Sequence, residues 1–353
     1  MRIGKITENV LKRSVWKQIH NGKYKNGAAG YTDCALFRAE DINEGTSKEG
    51  TKSEILPEIL SSVFCVTARV LACGKYAVTG ACNNILAGGG KPLQVLLSIT
   101  LPSDAQESVL RQIMKDAQEA ANAFGAEIAG GHTEVSSAVK WPLVSVSAVG
   151  YKTGTDKRKN TSSKELKNPL KNEDDTLDII VTKWIALSGT AMLAEEKGDL
   201  ISKRYPAFIK EAGISFGKMD YLSIADEAKI AADNGALLMH DISSGGIFAA
   251  LWELGQMAGL GMDVDLKAIP IRQETVEITD VFDVNPYLLA SAGSLLIAAK
   301  DGSRIVKALE AEGIPATIIG KLTKGNDRII RNEDETRFLD LPQSDEIHKV
   351  LAD

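Results

Sequence analysis

The sequence predicts a protein of two α/β domains. Its 353 residues exceed what one hydrophobic core usually organises, because domains average roughly 150 residues. Strand-like and helix-like patterns alternate in both halves of the chain, and a polar segment separates the halves. We therefore predict a first domain over residues 1–151, a linker over 152–176 and a second domain over 177–353.

Residues 93–150 are predicted to form a β-α-β-β unit in the first domain. The run "LQVLLSITLP" from Leu93 is apolar and β-rich, and the residues after it repeat apolar positions at helical spacing. Ser103 and Gln106 have the spacing of a capping box at the start of this helix, and Gly125 is a typical helix end. The runs "AEIAGG" and "WPLVSVSAVG" then predict two more strands.

The linker and the second domain follow from a change in composition. Residues 152–176 are dense in Lys, Asn, Ser and Asp and almost without large apolar side chains, so we expect a flexible segment. Beyond it, "LDIIVTKWIAL" and "ALLMH" predict strands, and "DYLSIADEAKIAADNG" predicts a helix opened by Ser223 with Asp226. Residues 293–322 predict a further strand, helix and strand.

The composition argues against several classes of protein. No apolar run approaches the ~18 residues that span a bilayer, and charged residues replace an apolar signal near Met1, so we expect a cytoplasmic protein without membrane contact. A net charge of −6 and an aromatic content of 5% argue against nucleic acid as a partner. The cysteines lack C-x-x-C spacing and are predicted to be reduced thiols rather than zinc ligands: Cys34, Cys65, Cys73 and Cys82.

The run "LLMHDISSGGIFAALWEL" over residues 237–254 places an acid and a Ser-Ser-Gly-Gly turn between a predicted strand and a predicted helix. Backbone N–H groups at the start of a helix bind anions, and Gly245 and Gly246 let a phosphate approach the backbone closely. Asp241, expected to be an exposed acid at the strand end, could hold a divalent cation shared with that phosphate. The alternative is that Asp241 or a serine only caps the helix while the glycines only turn the chain.

Three motifs in the first half also contain candidate binding residues. In "GACNNILAGGGKPL", Asn84 could offer its amide oxygen to a cation if it faces a cleft. In "IAGGHTEVS", Gly130 and Gly131 end a predicted strand and let a ligand approach, with His132 at its lip. In "GYTDCALF", Asp33 precedes a short apolar run.

Each of these motifs also has a simpler interpretation. The glycines at 88–90 are typical of a helix end followed by a loop. A histidine such as His132 more often forms structural hydrogen bonds than it takes part in catalysis. An acid in a short turn, such as Asp33, is by default a surface residue. No single motif therefore decides between binding and structure.

Taken together and in this order, the four motifs resemble signatures of the aminoimidazole ribonucleotide (AIR) synthase superfamily. "HDISSGGIFAAL" resembles its His-Asp-x-(Ser/Thr)-x-Gly-Gly signature, and "NNILAGGGKPL" resembles its Asn-Asp-(apolar)-x-x-x-Gly-(Ala/Gly)-x-Pro signature. "GYTDCALF" resembles its Gly-x-Asp-Ala-Ala turn, and "GGHTEVS" resembles its Gly-Gly-(Glu/His/Asp)-Thr element. The likeness covers nearly the whole chain, and "ATIIGKLTKG" is similar to the tail of the branch that contains HypE-type hydrogenase maturation factors.

The resemblance implies a fold, ligands and roles for particular residues. It implies two α/β domains, a homodimer in which first-domain strands close a barrel-like sheet, and ATP in a cleft between domains with its phosphates bridged by Mg²⁺. By position, the catalytic and magnesium-binding residues would be Asp33, Asn84 and Asp241. The residues lining the phosphate and substrate cleft would be Gly130, Gly131, His132, Ser244, Gly245 and Gly246.

Two departures from the family pattern affect the predicted function. Asn84 stands where most members have Asp, which removes one negative charge from the metal site. HypE-type factors end in a Pro-Arg-(Ile/Val)-Cys tail, whereas this chain ends "SDEIHKVLAD" and has no cysteine after Cys82, so we expect no dehydration chemistry on its own tail.

Three functions stay open at this point. The first is an ATP- and Mg²⁺-dependent enzyme that phosphorylates an oxygen of a small substrate, whose identity the sequence does not reveal. The second is a non-catalytic nucleotide-binding homodimer that acts as an assembly or maturation partner of another protein. The third is a structural relative without a ligand. The set of acids and Gly-Gly turns has no evident folding purpose, which favours the first two.

Overall fold

The protein contains two β-sheets, each packed against helices. The computed structural model describes residues 6, 8–19, 32–38, 58–152, 170, 175–341 and 344–351. The two sheets and their helices confirm the predicted mixed α/β class. Nearly all of the predicted linker over 152–176 lies outside the described residues, so its flexibility and the domain boundaries stay predictions.

The first sheet has five strands in the order β1-β2-β5-β3-β4. Strand β5 pairs antiparallel with β2 and β3, while β4 runs parallel to β3 at one edge. One face of this sheet is covered by α2 and α3, which contribute to its core. The elements are α1 (Glu8–Ser14), β1 (Ala35–Arg38), β2 (Glu58–Val66), α2 (Cys73–Ala87), β3 (Lys91–Leu101), α3 (Glu107–Phe124), β4 (Glu127–Val135) and β5 (Leu143–Lys152).

The second sheet has seven strands in the order β12-β11-β8-β10-β6-β9-β7, which makes β7 an edge strand. Its elements are β6 (Leu177–Thr182), α4 (Leu187–Arg204), α5 (Ala207–Ser215), α6 (Met219–Leu222), α7 (Ala225–Asp233), β7 (Ala236–Ile242), α8 (Gly246–Ala258), β8 (Gly261–Asp265), α9 (Gln273–Val281), β9 (Ser294–Ala299), α10 (Gly302–Ala311), β10 (Ala316–Thr323), β11 (Arg328–Asn332), β12 (Glu335–Phe338) and α11 (Ile347–Leu351). Strands and helices alternate from β7 to β10, as the sequence pattern predicts, whereas four helices follow β6 in succession and β10, β11 and β12 are consecutive strands.

Hydrophobic patterning explains why the predicted elements form where they do. Strand β9 is buried at all of its positions, whereas β5 alternates between buried and half-buried residues because only one of its faces meets helices. Helix α3 ends at Gly125, whose φ of 64° is the left-handed conformation predicted for a helix end. The predicted β-α-β-β unit over 93–150 is confirmed as β3-α3-β4-β5.

Four local predictions are wrong. The helix predicted over "DYLSIADEAKIAADNG" is divided into α6 and α7, and the N-cap of α7 is Ile224 without a side-chain hydrogen bond, so Ser223 with Asp226 does not open it. The N-cap of α3 is Gln106 without a side-chain hydrogen bond, so Ser103 and Gln106 form no capping box. The strand predicted over "LDIIVTKWIAL" ends at Thr182, because Lys183 and Ala186 take left-handed backbone conformations with φ of 52° and 61°. The strand predicted to end at Gly131 continues as β4 to Val135, because it pairs with β3 along its whole length.

The first sheet is open and shows no closed barrel within the described chain. On its outer face, Val63 of β2 and Leu96 of β3 lie on either side of the half-buried Ser147 of β5, with Val63 65% and Leu96 42% exposed. Apolar side chains of this size on a solvent face are typical of a surface that another protein covers. The four cysteines are free thiols, as predicted.

Candidate functional site

A buried ion-pair cluster joins the two domains at β7. His240 of β7 places its Nδ1 atom 2.8 Å from Oδ1 of Asp33 and its Nε2 atom 3.0 Å from Oε2 of Glu253 on α8. The backbone N–H of Asp241 donates to Oδ2 of Asp33 at 3.1 Å. The Asp33 side chain is only 8% exposed, so its interpretation as a surface turn acid is wrong.

The position of β7 at the sheet edge explains why Asp33 can bind there. An edge strand leaves every second N–H group unpaired, and Asp33 accepts one of them from the strand's free side. Side chains alternate along a strand, so His240 shares the face of Leu238 and Ile242 that packs against α8, while Asp241 shares the face of Met239. Asp241 is 2% exposed, which corrects the expectation of an exposed strand-end acid.

Helix α2 brings the predicted asparagine pair to the same strand. It packs against β7, and its last turn lies against the Asp33 turn, because a Cβ atom on Gly88 would be 2.3 Å from Sγ of Cys34. Asn83 is fully buried; its amide donates to the carbonyl of Leu222 at 2.9 Å, so its role is to join the domains. Asn84 is half-buried on the same turn of the helix.

The Ser-Ser-Gly-Gly turn binds a carboxylate of the protein itself. The N–H of Gly245 donates at 2.7 Å to Oδ2 of Asp345, a buried residue near the end of the chain. Oδ1 of Asp345 accepts from the N–H groups of Ala290, at 3.2 Å, and Ile347, at 3.0 Å. The turn therefore does bind an anionic group, as its backbone pattern predicts.

The glycines of this turn also have a packing role. Gly245 is the N-cap of α8 with φ of 83°, and no side chain of the turn caps the helix, so the alternative that Asp241 or a serine is the cap is wrong. Gly246 has φ of 66°, and a Cβ atom there would lie 2.6 Å from the carbonyl oxygen of Tyr287. Close backbone approach therefore requires glycine at this position whether or not a ligand binds.

Gly130, Gly131 and His132 lie away from this cluster in a single chain. They belong to β4, which forms one edge of the first sheet, while β1, the strand that follows Asp33, forms the other edge. Four strand spacings separate β4 from β1, a distance of roughly 19 Å. His132 is 71% exposed and lies 3.5 Å from the carboxylate of Glu134. A Cβ atom on Gly131 would lie 2.0 Å from the carbonyl oxygen of Leu97, so this glycine permits close packing against β3.

Burial and charge shift the pKa values of two groups at the site. Burial alone would lower the pKa of His240, but the carboxylates of Asp33 and Glu253 raise it from 6.5 to about 10. His240 is therefore a cation at neutral pH. Burial raises the pKa of Asp345 from 3.8 to about 6, although its three backbone N–H donors favour the ionised carboxylate.

A small cavity reaches the turn from the boundary between the domains. It has a volume of about 50 Å³, and Ser243, Ser244 and the C-terminal residues Ile347 and His348 contribute to its lining, opposite β2. Ligand pockets usually measure ~300–1,000 Å³. The cavity beside Ser243 and Ser244 is therefore smaller than a typical ligand pocket.

A second cleft of about 550 Å³ lies beside α6 and α7. Lys183 and Glu227 line it and form an ion pair of 2.6 Å in which both side chains are more than nine-tenths buried. Lys183 also donates to the carbonyl groups of Tyr221 at 3.0 Å and Ser223 at 2.6 Å. Burial raises the pKa of Glu227, an effect that Lys183 opposes. The pair ties the strand end at β6 to the loop before α7.

The side-chain oxygens near β7 are of the type that binds magnesium, but they are few. Carboxylate and amide oxygens are the ligands Mg²⁺ prefers, and proteins commonly hold it with one or two carboxylates plus phosphate oxygens of a substrate. Within the described part of the chain, no three His, Cys, Asp or Glu side chains form a metal-binding group. Asp33, Asp241 and Asn84 have oxygen atoms of this kind, so a cation bound by them would need phosphate and water to complete its coordination.

The sequence did not indicate Asp345 as a site residue, because it binds a residue 100 positions earlier in the chain. Asp33 was predicted, but its contact with the backbone of a residue 208 positions later was not. Glu253 was also missed, although it lies 13 residues after His240 on the predicted helix. A carboxylate on the face of α8 that meets β7 could have been predicted to contact His240.

The chain matches known proteins over both domains. Residues 59–151 match the family "AIR synthase related protein, N-terminal domain", and residues 177–332 match "AIR synthase related protein, C-terminal domain". The chain therefore belongs to the AIR synthase-related family. These ranges include Asn84, Asp241 and the Gly-Gly turns, whereas Asp33 and Asp345 lie outside them.

Curated relatives within this family have several activities. A putative hydrogenase expression/formation protein of Methanocaldococcus jannaschii is 28% identical over 284 residues, 78% of each chain. The carbamoyl dehydratase HypE of Rhodobacter capsulatus is 28% identical over 254 residues, 70% of this chain and 69% of the relative. The thiamine-monophosphate kinase of Pyrococcus horikoshii is 25% identical over 271 residues, 75% and 76% of the two chains.

Solved structures show the same fold at lower sequence identity. A chain from the structure of a HypE–HypF complex matches 94% of this chain and 99% of its own length, with a TM-score of 0.68 and 17% identity. A ThiL structure with AMPPCP and TMP matches 95% and 96%, with a TM-score of 0.67 and 17% identity. A HypE structure in complex with ATP matches 86% and 90%, with a TM-score of 0.65 and 16% identity. In the described residues, no helix is long and apolar enough to cross a bilayer.

Proposed function

We propose that this protein is an ATP- and Mg²⁺-dependent enzyme that phosphorylates an oxygen of a small substrate. The observation that supports this most directly is the meeting of Asp33 with the backbone of Asp241 at β7, beside the helix that carries Asn84. Related folds were solved with ATP and with AMPPCP, and relatives include a kinase and a dehydratase. The substrate's identity is left to experiment.

The proposed chemistry depends on carboxylates that hold a cation beside the phosphate. Asp33 and Asp241 would hold Mg²⁺, with Asn84 adding an amide oxygen. The metal, when bound, would neutralise charge on the transferred phosphoryl group, which is the main requirement of this reaction class. Ser243 and Ser244 line the cavity beside the cluster, where they could donate hydrogen bonds to a phosphate or to the substrate.

We further propose that the enzyme is a homodimer formed through the first sheet. The exposed apolar side chains on its outer face support this, since a second copy would remove them from water. The dimer would also explain Gly130, Gly131 and His132. In one chain they lie at the edge away from Asp33, so a site that uses all predicted residues requires a second copy. A cytoplasmic location completes the proposal.

A second function is favoured by the C-terminal segment and by Asn84. If Asp345 holds the Gly245 turn permanently, the protein would bind nucleotide without turnover and act as a partner in assembly, as in hydrogenase maturation. A HypE structure with HypF and the hydrogenase expression/formation relative make a protein partner a concrete alternative. ADP release separates the two functions, because only the enzyme forms ADP.

The first test is calorimetric titration of ATP into the purified protein with and without Mg²⁺, followed by measurement of ADP. We expect magnesium-dependent binding in the wild type and its loss in Asp241→Asn. Asp263→Asn, which changes a 34% exposed carboxylate on β8 of the same sheet, serves as the matched control and should bind normally. Because Asp241 is buried, a circular dichroism melt must first show that the variant is folded. Unchanged binding by folded Asp241→Asn would refute the site.

A further inference from the structure

Glu253 lies next to His240, the residue whose side chain holds Asp33. Its carboxylate approaches Nε2 of His240 at 3.0 Å, while Nδ1 of the same ring approaches Asp33 at 2.8 Å. The three side chains form one chain of contacts from α8 through β7 to the turn before β1. We propose that Glu253 is a positioning residue, which fixes the His240 ring and thereby sets the position of Asp33 in the active site.

The geometry of an imidazole ring explains how such an effect is transmitted. The two ring nitrogens are held rigidly on opposite sides, so a partner on Nε2 fixes the direction in which Nδ1–H points. A carboxylate behind a histidine commonly orients it in this way at metal sites, and loss of that carboxylate typically costs ~10–100-fold in metal affinity or activity. In this protein, the group that the oriented histidine contacts is the carboxylate of Asp33 instead of a metal.

The fold makes the Glu253 contact the rigid end of this arrangement. Glu253 sits on α8, whose neighbours Ala250, Leu251 and Leu254 are buried in the core beneath the second sheet. Asp33, by contrast, precedes β1 and reaches the second domain through its side chain. The partners of its carboxylate there are the N–H of Asp241 and the ring of His240.

If Glu253 had only a structural role, its loss should have the same effect as the loss of any other partly buried carboxylate that links the domains. Glu195 is such a carboxylate and serves as the control. Glu195 on α4 accepts a hydrogen bond from Tyr76 at 3.2 Å and lies 3.4 Å from Nζ of Lys75, both on α2 of the first domain. Its side chain is 23% exposed, close to the 18% of Glu253. Glu195 is thus a comparable link that does not touch His240 or Asp33.

The test rests on the proposed function and compares three variants of the full chain. Calorimetry with ATP and Mg²⁺ should show an affinity about tenfold or more lower for Glu253→Met. Glu253→Gln keeps an acceptor for the ring and should lose much less. Glu195→Met should stay within about threefold of the wild type, because the partners of Glu195 are Lys75 and Tyr76 and include neither His240 nor Asp33. Equal losses in Glu253→Met and Glu195→Met, or wild-type affinity in folded Glu253→Met, would overturn the proposal.

A second measurement separates this inference from the proposed function. The chain has four histidines, so ¹⁵N-histidine labelling gives a simple NMR spectrum in which His240→Gln assigns the resonances of interest. If Glu253 fixes the ring, Glu253→Met should shift the Nδ1 resonance of His240 that faces Asp33, and Glu195→Met should not. This holds even if the wild type binds no nucleotide, in which case only the proposed function fails. An unchanged Nδ1 resonance in Glu253→Met would refute the positioning role.

Discussion

Replacing Asp33 by Asn should destabilise the protein strongly, and the cost should depend on pH. The substitution removes the charge that faces the buried His240 cation from the other domain. Raising the pKa of His240 from 6.5 to about 10 corresponds to roughly 5 kcal/mol, because each pKa unit is about 1.4 kcal/mol. Asp33 supplies the larger share of this charge effect, so we expect a loss of about 3 kcal/mol, consistent with the ~3–5 kcal/mol typical of a broken buried ion pair.

The sign of the pH dependence follows from the raised pKa. The folded protein binds the proton on His240 more tightly than the unfolded chain, so this stabilisation is complete below about pH 6.5 and is lost as the pH rises through about 10. The difference between wild type and Asp33→Asn should therefore be largest near pH 6 and shrink towards pH 10. Urea unfolding in the presence of a metal chelator, at both pH values, measures it.

The exposed pair of Asp263 and Arg331 provides the control for this experiment. Its side chains are 34% and 50% exposed, so Asp263→Asn should cost no more than about 1 kcal/mol. If Asp33→Asn cost no more than Asp263→Asn, the His240 contact would contribute nothing to stability. If its cost stayed constant between the two pH values, His240 would not be the group responsible.

Two further predictions concern stability elsewhere. Glu227→Gln leaves the buried Lys183 cation without its carboxylate and should lower the free energy of unfolding in urea by about 3–5 kcal/mol. The double variant Lys183→Met with Glu227→Leu should recover most of this stability. Equal losses in the two variants would contradict the ion-pair argument. Asp345→Ala leaves the N–H groups of Gly245 and Ala290 without their acceptor and should lower the free energy of unfolding, measured by thermal unfolding, by about 1–3 kcal/mol. Asp345→Asn should lower it less, because its amide oxygen can still accept. The opposite order would show that the acceptor is unimportant.

Local sequence patterns predicted most of the fold because the forces involved act over a few residues. Helical spacing and a left-handed glycine place α3 and its end at Gly125. The pattern misplaced the end of β6, because Lys183 turns the backbone to reach carbonyl groups about 40 residues later in the chain, a tertiary interaction. The continuation of β4 past Gly131 likewise depends on pairing with β3, which a strand-end glycine pattern does not reveal.

The candidate site was predictable by residue type and not by arrangement. The motif around Asp241 indicates a strand followed by an anion-binding turn, and both are present. The anion found there is Asp345, whose position in an acidic C-terminal segment gave no hint of the contact. The turn around Asp33 by itself indicated a surface acid, whereas the family resemblance placed Asp33 at the metal site. The contacts that hold it, an N–H group at the free edge of β7 and the His240 cation, were not predicted.

The same cluster bears on the asparagine at position 84. Most family members are expected to have a carboxylate there, and its absence removes one negative charge. With their carboxylates ionised and His240 protonated, Asp33, Asp241, Glu253 and His240 together have a formal charge of −2, since three carboxylates oppose one imidazolium. That charge matches a single divalent cation.

An added carboxylate at position 84 would bring excess negative charge into a partly buried site at a desolvation cost, unless a second cation bound with it. We therefore expect Asn84→Asp to lower stability in a chelator and to regain it on addition of Mg²⁺. A variant as stable as the wild type in the chelator would show that position 84 does not sense the charge of this cluster.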